Sequence, residues 1–391
     1  MRLFALALAL SVSGAALAAT PAAKAPYPKP LPEEPIPASA KLPSQWPASV
    51  VLIHDFHFSS IVDGRVMVVD TASTDHPVKG MVRAAQFANM LVSPSRGEIL
   101  TSETFYSRLT RGERTDAVTI WDMATLQPKG EIVMPGGKRQ QSVTYPQLFQ
   151  FTNGEKWALV ANFTPAQSVS VLDIDARKVI AEIDLPGCAQ LYPTGERGFT
   201  SFCADGSLFS VKLGPDGQAV SSKTVEKVQD IDNQPLFSTP AWVGRTAWFV
   251  SYRGQIQAFD FSGDVARPLP GSFNIGTADG AAPEWRPGGW QVIAADGAGK
   301  LYVLMSPNGR EGSHKDGGTE VWVIDTVKKA RVGRIALNGV ASAIALTREA
   351  TPRLVVARGD GTIDVHDPAT GALVRSLGTA GGANPIVITA P

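Results

Sequence analysis

The chain has 391 residues, enough for a large buried core or an array of repeats, and its 36 lysines and arginines balance its 36 aspartates and glutamates. The resulting formal net charge of zero argues against a nucleic-acid-binding surface and against a polybasic membrane surface. Long helical periodicities are scarce, whereas the 37 glycines and 29 prolines favour many short strands joined by turns.

The first residues have the pattern of a secretory signal peptide. Arg2 supplies a positive charge, residues 3–10 form a short apolar stretch, and Ala16-Leu17-Ala18 fits the small-x-small cleavage rule. The apolar stretch is too short to span a bilayer, and no later segment reaches the roughly 18 apolar residues that a membrane helix needs. We therefore predict that residues 1–18 are a signal peptide, that cleavage follows Ala18, and that the mature protein is exported and soluble, with no membrane association.

Residues 19–46 are rich in proline and alanine. Such a segment buries too little apolar surface to offset the entropy lost on ordering it. We expect an extended arm or a disordered leader, and an arm that lies along a partner subunit would have the same composition. The folded domain is predicted at residues 47–391.

One pattern recurs along this domain: an alternating apolar strand, usually an aspartate, a turn, and a further strand. Its seven copies end at positions 40 to 52 residues apart, except for one gap of 65 residues, at Asp70, Asp122, Asp173, Leu213, Asp260, Asp325 and Asp367. Repeats of this length with several strands each are typical of propeller blades. The aspartates are expected to accept hydrogen bonds from turn amides two residues on.

We therefore predict an all-β fold, a seven-bladed β-propeller of four-stranded antiparallel blades. The segment after Leu377 is too short for another blade and is expected to close the ring by pairing with strands near the amino terminus. An eight-bladed ring would need one more copy of the repeat, which the sequence does not contain.

The two cysteines, Cys188 and Cys203, are expected to form a disulfide in an exported chain. The bond would close a loop of about 15 residues and stabilise the fold by roughly 3 kcal/mol. A metal site would need further ligands near the two thiols. The five histidines form no HxxxH pair, and no Gly-x-Ser-x-Gly, Walker or dinucleotide motif is present. We predict neither a catalytic residue nor a metal ligand in this chain.

Three segments stand out, each with two possible roles. The charged run at residues 108–116 could be a solvated loop or an ion-pair network shielded at a subunit contact. Trp285 and Trp290 flank a tight turn and could cap a blade or bind a partner. Residues 54–58, with two histidines and two phenylalanines, could pack in the core or face a ligand.

The run Arg108-Leu109-Thr110-Arg111-Gly112-Glu113-Arg114-Thr115-Asp116 resembles the corresponding motif in the heavy subunit of the quinoprotein amine dehydrogenases. This family comprises methylamine dehydrogenase and aromatic amine dehydrogenase. Residues 285–290, 309–315 and 321–325 are also similar to the family, and the resemblance extends from about Trp46 to the end of the chain. Residues 63–66 and 308–315 look closer to the aromatic amine enzyme.

The resemblance implies a periplasmic α2β2 heterotetramer in which a small, cysteine-rich light subunit carries the cofactor tryptophan tryptophylquinone. This chain would be the heavy subunit and would bind no cofactor by itself. The implied reaction oxidises a small primary amine to aldehyde and ammonia, and electrons pass to a blue-copper protein such as azurin or amicyanin. A non-catalytic periplasmic protein-binding propeller is the alternative, and a lactonase-like propeller hydrolase is disfavoured because no cluster of metal ligands is evident.

The resemblance also implies site residues. Phe58, preceded by His57, matches a phenylalanine that lines the substrate entrance in this family, although Phe56 here replaces the proline of the family's Asp-Pro pattern. Candidate contacts with the light subunit are the charged residues of the first segment and the two tryptophans: Arg108, Arg111, Glu113, Arg114, Asp116, Trp285 and Trp290.

Overall fold

The computed structural model describes residues 31–32, 41–141, 144–276, 285–307 and 309–391. The chain divides into the units Met1–Ala40 and Lys41–Pro391, and every strand and helix described below belongs to the second unit. The signal peptide predicted at residues 1–18 and most of the arm predicted at residues 19–46 lie outside the described residues. Within the described part of the chain, no helix is both long enough and apolar enough to cross a membrane.

The second unit consists of antiparallel sheets that follow one another along the chain. The first strands are β1 (Val50–Asp55), β2 (Arg65–Asp70) and β3 (Val78–Arg83). The next sheet contains β4 (Asn89–Ser93), β5 (Glu98–Arg108), β6 (Arg111–Asp122) and β7 (Pro128–Met134). It is followed by a sheet of β8 (Phe149–Thr152), β9 (Trp157–Asn162), β10 (Ser168–Asp173) and β11 (Lys178–Asp184). The fourth sheet contains β12 (Cys188–Pro193), β13 (Gly198–Cys203), β14 (Leu208–Leu213) and β15 (Ala219–Val225).

Two larger sheets and a final strand complete the unit. The fifth sheet has five strands, β16 (Ala241–Val243), β17 (Thr246–Val250), β18 (Gln255–Asp260), β19 (Arg267–Pro268) and β20 (Phe273–Asn274). The sixth has eight strands, β21 (Arg286–Pro287), β22 (Ile293–Ala295), β23 (Lys300–Ser306), β24 (Gly318–Asp325), β25 (Ala330–Leu346), β26 (Leu354–Arg358), β27 (Ile363–His366) and β28 (Leu373–Ser376). The last strand is β29 (Pro385–Thr389). Short 3₁₀ helices are formed by Phe58–Asp63, Pro135–Gly137, Pro146–Leu148 and Ser313–Lys315.

The carboxyl-terminal strand closes the ring. β29 pairs antiparallel with β1, with Leu52 opposite Thr389 and His54 opposite Val387, so the first sheet has the order β29-β1-β2-β3. This confirms the prediction that the tail pairs with strands near the amino terminus. Since the innermost strand comes from one end of the chain and its neighbours from the other, the closure is built from both termini of the domain.

The core lies between neighbouring sheets because successive side chains of a strand point to opposite faces. In β10, Val169 and Val171 pack with Leu191 and Phe199 of the following sheet. Leu172 packs on the other face, in a cluster that includes residues of the preceding sheet. β10 therefore buries apolar side chains on both faces, and its sheet depends on both neighbouring sheets for burial.

The repeated aspartates have the predicted turn role. The Asp122 carboxylate accepts a hydrogen bond from the Ala124 backbone amide at 3.0 Å, and Asp367 accepts one from the Ala369 amide at 2.8 Å. Hydrogen bonds from the turn hold the pKa of both aspartates below its usual value, chiefly the bond from the Thr125 amide for Asp122 and the bond from the Ala369 amide for Asp367. The repeat therefore identified these strand ends correctly, and its aspartate stabilises the turn by accepting hydrogen bonds from backbone amides.

The propeller class and the four-stranded antiparallel blades are confirmed, but the prediction of seven separate blades is corrected. Five sheets have the size of one blade, and the sixth is a continuous sheet of eight strands. The reason is β25, which runs for 17 residues without a break. Its first part, residues 330–336, pairs with β24, whereas residues 341–346 pair with β26.

The loops between the second and third strands of the sheets define what we call the front face. These loops include residues 56–64 between β1 and β2, the tip of the β5–β6 hairpin, and the loops at residues 251–254, 309–317 and 359–362. Phe58, Tyr252, His314 and Gly359, which belong to four of these loops, line one common cavity. The front face therefore surrounds an opening at the centre of the ring.

Candidate functional site

A central cavity of about 630 Å³ opens on the front face, and we call it the front cavity. Ring-bearing side chains contributed by widely separated parts of the chain dominate its lining: Phe58, Tyr145, Phe237, Tyr252, Trp290 and His314. A concave, mostly apolar site of this size is typical of small-molecule binding pockets. We therefore describe the front cavity as the candidate functional site, beginning with its floor.

The floor is a stacked pair formed by Tyr145 and Trp290. Their ring centroids are 4.8 Å apart and the ring planes differ by 14°. Trp290 is fixed by two hydrogen bonds, because its indole Nε1–H donates to the Thr144 carbonyl at 2.8 Å and its backbone N–H donates to the Ser342 carbonyl at 2.6 Å. Burial raises the pKa of the Tyr145 phenol, which stays neutral.

The pair separates the front cavity from a second cavity on the opposite side of the ring. Pro146 and Gln291, which directly follow the two stacked residues in the chain, line that second cavity of about 480 Å³. The Gln291 side chain donates to the carbonyls of Ile344 and Ile388 at 3.0 and 2.9 Å and accepts from the Ile388 amide at 3.1 Å. The stacked pair and Gln291 therefore lie between the front cavity and the second cavity.

One wall of the cavity is a second stacked pair, Tyr252 and His314, with ring centroids 3.9 Å apart and planes differing by 10°. Phe237 packs edge-on against Tyr252 at 4.7 Å. Desolvation, together with nearby Lys315, lowers the pKa of His314, and burial raises the pKa of Tyr252. Both rings of the wall are therefore uncharged near neutral pH.

Phe58 stands at the rim with 56% of its surface exposed. Its backbone N–H donates to Asn384 Oδ1 at 2.9 Å, and its ring centroid lies 4.3 Å from that of Phe56, which is 2% exposed. Phe56 in turn contacts Phe87 at 5.1 Å. The departure from the family's Asp-Pro pattern therefore provides a buried aromatic anchor beneath the exposed ring.

The backbone around Phe58 is held by the buried carboxylate of Asp55. This carboxylate accepts hydrogen bonds from the backbone amides of His57 at 3.0 Å, Ala383 at 3.0 Å and Asn384 at 2.8 Å. His57 has a positive φ of 52° and its Nδ1 lies 3.7 Å from the Asp63 carboxylate. The structure therefore brings Phe58 to the lining of the front cavity, and His57 is not among the residues that line it.

The charged run forms the projecting tip of the β5–β6 hairpin. Residues 105–115 of the two strands pair only with each other, because β4 pairs with residues 98–102 and β7 with residues 116–121. At the tip, Arg108, Arg111, Glu113 and the apolar Leu109 are exposed. These residues lie on the front face, beside the front cavity rather than within it.

At the base of the hairpin, Arg114 and Asp116 belong to an internal network. The Arg114 guanidinium makes two hydrogen bonds of 3.0 Å to the Asp116 carboxylate, which is 1% exposed. Asp116 also accepts from Thr104 Oγ1 at 2.6 Å and from the Arg139 backbone amide at 2.9 Å. Arg139 is itself buried, and this burial lowers its pKa to about 10 although Asp116 acts in the opposite direction.

Arg139 connects the hairpin to the segment between the first two sheets. Its Nη1 and Nη2 donate to the carbonyls of Phe87 at 3.0 Å and Gln86 at 2.6 Å. Glu103 lies nearby, and burial raises the pKa of its carboxyl group. The sequence prediction did not include Arg139, which lies outside the charged run.

The structure separates the two predicted tryptophans. Trp290 forms the cavity floor, whereas Trp285 packs against Trp322 in the sixth sheet, with ring centroids 5.5 Å apart, and the Arg334 guanidinium lies 4.9 Å from its ring. On the two sides of this turn, the Trp290 ring therefore lies in the central channel and the Trp285 ring packs on the sixth sheet.

The predicted disulfide between Cys188 and Cys203 is present. The two cysteines are opposite each other on β12 and β13. They border a cavity of about 420 Å³ that shares Tyr145, Phe237 and Tyr252 with the front cavity. In the described part of the chain, no group of three or more histidine, cysteine, aspartate or glutamate side chains is arranged to hold a metal ion.

Sequence reasoning missed Tyr145, Phe237 and Tyr252. Tyr145 and Phe237 lie shortly before the first strands of their sheets, β8 and β16, as Trp290 lies before β22. An alignment of the repeats on their first strands, rather than on the aspartates, would have shown that aromatic residues recur at this position.

Comparison with known proteins assigns the family. The sequence model described as methylamine dehydrogenase heavy chain (MADH) matches residues 48–391. The chain is 29% identical over 337 residues to the methylamine dehydrogenase heavy chain of Methylorubrum extorquens, covering 85% of this chain and 80% of that one. It is 28% identical over 364 residues to the heavy chain of Paracoccus versutus, covering 91% and 82%.

Solved structures support the fold alone. A putative 6-phosphogluconolactonase from Bacteroides fragilis superposes with a TM-score of 0.58 at 14% identity, covering 91% of this chain and 99% of that one. A dihydro-heme d1 dehydrogenase superposes with a TM-score of 0.52 at 14% identity, covering 90% and 77%. The family match over residues 48–391, in contrast, carries an assignment: this chain belongs to the methylamine dehydrogenase heavy chain family.

Proposed function

We propose that the chain is the heavy subunit of an amine dehydrogenase complex that oxidises primary amines to aldehyde and ammonia. The observation that carries this proposal is the family match over residues 48–391, which spans the whole ring of sheets. The partner is a light subunit in an α2β2 heterotetramer located in the periplasm. A blue-copper protein such as azurin or amicyanin is the electron acceptor.

The redox cofactor belongs to the light subunit in this proposal. Tryptophan tryptophylquinone supplies an electrophilic carbonyl and a two-electron acceptor, and it must meet the substrate. Trp285 and Trp322 contact each other in this chain, but Trp322 is 1% exposed and its Nε1–H donates to Glu320 at 3.0 Å. A ring packed in this way does not fit the site of a quinone that reacts with a substrate.

The heavy subunit has two roles in this proposal: it covers the substrate entrance and it binds the light subunit. In this proposal Phe58, which is half-exposed and packs on Phe56, covers the substrate entrance and excludes water from it. In this proposal the exposed hairpin tip with Arg108, Arg111 and Glu113 contacts the light subunit, because the tip projects from the front face that also carries Phe58. Arg114 and Asp116 act indirectly by holding the hairpin base rigid.

The test is expression of this chain with and without its light subunit, followed by an assay of amine-dependent dye reduction. We expect activity only when both chains are present, with the quinone absorbance in the small chain. Activity of this chain alone would overturn the proposal. A stable complex that oxidises no primary amine would favour the alternative of a protein-binding propeller.

A further inference from the structure

Gln86 and Phe87 form a strained turn in the segment that leads from β3 to β4. Both have a positive φ of 54°, and this left-handed conformation is unfavourable for residues that carry a Cβ atom. Such residues persist only where the surrounding contacts hold them in place. The contacts that hold this pair therefore determine where its side chains and carbonyl groups lie.

Arg139 holds the carbonyl groups of both residues. Its Nη2–H donates to the Gln86 carbonyl at 2.6 Å, and its Nη1–H donates to the Phe87 carbonyl at 3.0 Å. Its Nε–H donates to Thr104 Oγ1 at 3.0 Å. The residue is 3% exposed, and although burial lowers its pKa to about 10, it remains charged at neutral pH. A planar guanidinium presents its donors in a fixed fork, so one side chain holds two successive carbonyls.

The backbone of Arg139 is fixed in turn by the base of the β5–β6 hairpin. Its amide donates to the Asp116 carboxylate at 2.9 Å, and its carbonyl accepts from Arg114 Nη2 at 2.7 Å. Arg114 and Asp116 are themselves joined by two hydrogen bonds. The guanidinium therefore extends from a well-bonded base to the turn at Gln86 and Phe87.

The turn is connected through the backbone to the Phe58 loop, residues 56–64. The Gln86 amide donates to the Ile61 carbonyl at 2.9 Å, and the Ala84 amide donates to the Gly64 carbonyl at 2.9 Å. Ile61 belongs to the 3₁₀ helix that begins at Phe58. A displacement of the turn would therefore displace the helix that carries Phe58.

The turn is also connected to Phe58 through aromatic contacts. The Phe87 ring centroid lies 5.1 Å from that of Phe56, which in turn lies 4.3 Å from that of Phe58. Because Phe58 is half-exposed, the position of its ring depends on the ring beneath it. We propose that Arg139 is a positioning residue that fixes the Phe58 ring at the rim of the front cavity by holding Gln86 and Phe87. The inference rests on the proposed function for the claim that the position of this ring affects amine oxidation.

The test is a fluorine NMR measurement on the full chain with para-fluorophenylalanine incorporated at position 58. We expect a shifted or exchange-broadened fluorine signal in Arg139→Met relative to the chain that retains Arg139. Arg139→Lys keeps the buried charge and should fold even where Arg139→Met does not. Its signal should be altered as well, because an ammonium group does not provide the parallel donors of a guanidinium. Circular dichroism verifies the fold of each variant.

Arg245→Met is the matched control. Arg245 Nη2 also donates to backbone carbonyls, those of Pro193, Gly195 and Phe261, but it lies in the turn between β16 and β17 of the fifth sheet. Its loss should leave the fluorine signal unchanged. An unchanged signal in folded Arg139→Lys would overturn the inference, and so would an equal change in Arg245→Met.

A double-variant cycle in the complex tests whether Arg139 acts through Phe58. Arg139→Lys should change the ratio of kcat/KM for 2-phenylethylamine and methylamine about threefold, and should cause no further change when Phe58 is already alanine. A further change of the same size would overturn the inference, since it would show an effect that bypasses Phe58. A complex with an altered fluorine signal that oxidises no amine retains the inference and loses the proposed function, whereas amine oxidation with an unchanged signal has the reverse meaning.

Discussion

The indole ring of Trp290 stacks on the phenol ring of Tyr145 at 4.8 Å, and its Nε1–H donates to the carbonyl of Thr144, which is 146 residues away in sequence. This contact joins the segment before β22 to the segment before β8 across the central channel. Gln291, next to Trp290, bonds in turn to Ile388 of the closing strand. The same few residues therefore connect distant parts of the ring.

Replacement of Trp290 should separate the contributions of the hydrogen bond and of the ring. Trp290→Phe keeps an aromatic ring on Tyr145 but removes the donor to Thr144, and we expect a loss of about 1 kcal/mol in the free energy of unfolding. Trp290→Ala removes the ring as well and should cost about 3 kcal/mol, the low end for aromatic truncations because the ring is only partly buried. Urea unfolding of both variants measures the difference. Equal losses would mean that the stacking contact stabilises nothing.

The carboxylate of Asp116 is expected to be the most sensitive group of the hairpin. Asp116→Ala would leave the Arg114 guanidinium without its paired carboxylate, would remove the charge that most favours the protonated form of buried Arg139, and would free the Thr104 hydroxyl. Loss of one partner of a buried charged pair costs about 3–5 kcal/mol. We expect a decrease in this range in the free energy of unfolding.

Glu113 provides the matched control for this measurement. It lies three residues away on the same strand but is exposed at the hairpin tip, so Glu113→Ala should change the free energy of unfolding by less than about 0.5 kcal/mol. If both variants were equally mild, the network at the hairpin base would have no role in stability. If Glu113→Ala weakened association with the light subunit and Asp116→Ala did not, this would confirm that the hairpin tip contacts the light subunit and that the hairpin base only supports the fold.

His54 should make stability depend on pH. It is 1% exposed, and desolvation lowers its pKa from 6.5 to about 4 despite the neighbouring charge of Asp55. Neither ring nitrogen has a hydrogen-bond partner among the described residues. Because the unfolded chain takes up a proton near pH 6.5 and the folded chain does not, stability is full above pH 6.5 and is lost as the pH falls toward 4.

A comparison with His54→Leu isolates this contribution. Between pH 7.5 and pH 5, the protein should lose about 2 kcal/mol more unfolding free energy than the variant, since other titrating groups are common to both. At pH 7.5 the leucine should be neutral or mildly stabilising, because two unsatisfied polar atoms leave the core. Parallel pH profiles for the two proteins would show that His54 is hydrated or paired in solution.

The sequence predicted the positions of the strands better than it predicted how the strands divide into separate sheets. Alternating apolar residues and the turn aspartates located strands such as β6, which ends at Asp122, because both signals are local. The eight-stranded sheet could not be foreseen, since Asn338-Gly339 has the composition of a hairpin turn and yet lies inside β25. Pairing with β24 on one side and β26 on the other holds this segment extended, and these partners are remote in sequence.

The candidate site was predictable only in part, for the same reason. The resemblance selected Phe58, and the paired tryptophans drew attention to Trp290. Nothing in the local sequence of Tyr145 or Tyr252 shows that they reach the same cavity, because the ring closure brings them together. The charged run was predicted as either a solvated loop or an ion-pair network, and the structure contains both, an exposed tip and an internal base.

Phe58→Ala tests the role of the rim in substrate choice. With 56% of its surface exposed, the ring adds little to the fold, and its removal should change the unfolding free energy by about 0.5 kcal/mol or less. For the complex, loss of one aromatic contact should lower kcat/KM for 2-phenylethylamine about three- to tenfold relative to methylamine. Val327→Ala, at an 87% exposed position in the β24–β25 turn, is the control and should change neither value. An unchanged substrate ratio in Phe58→Ala would exclude this ring from the substrate path and would leave its exposed position to be explained by contact with the light subunit.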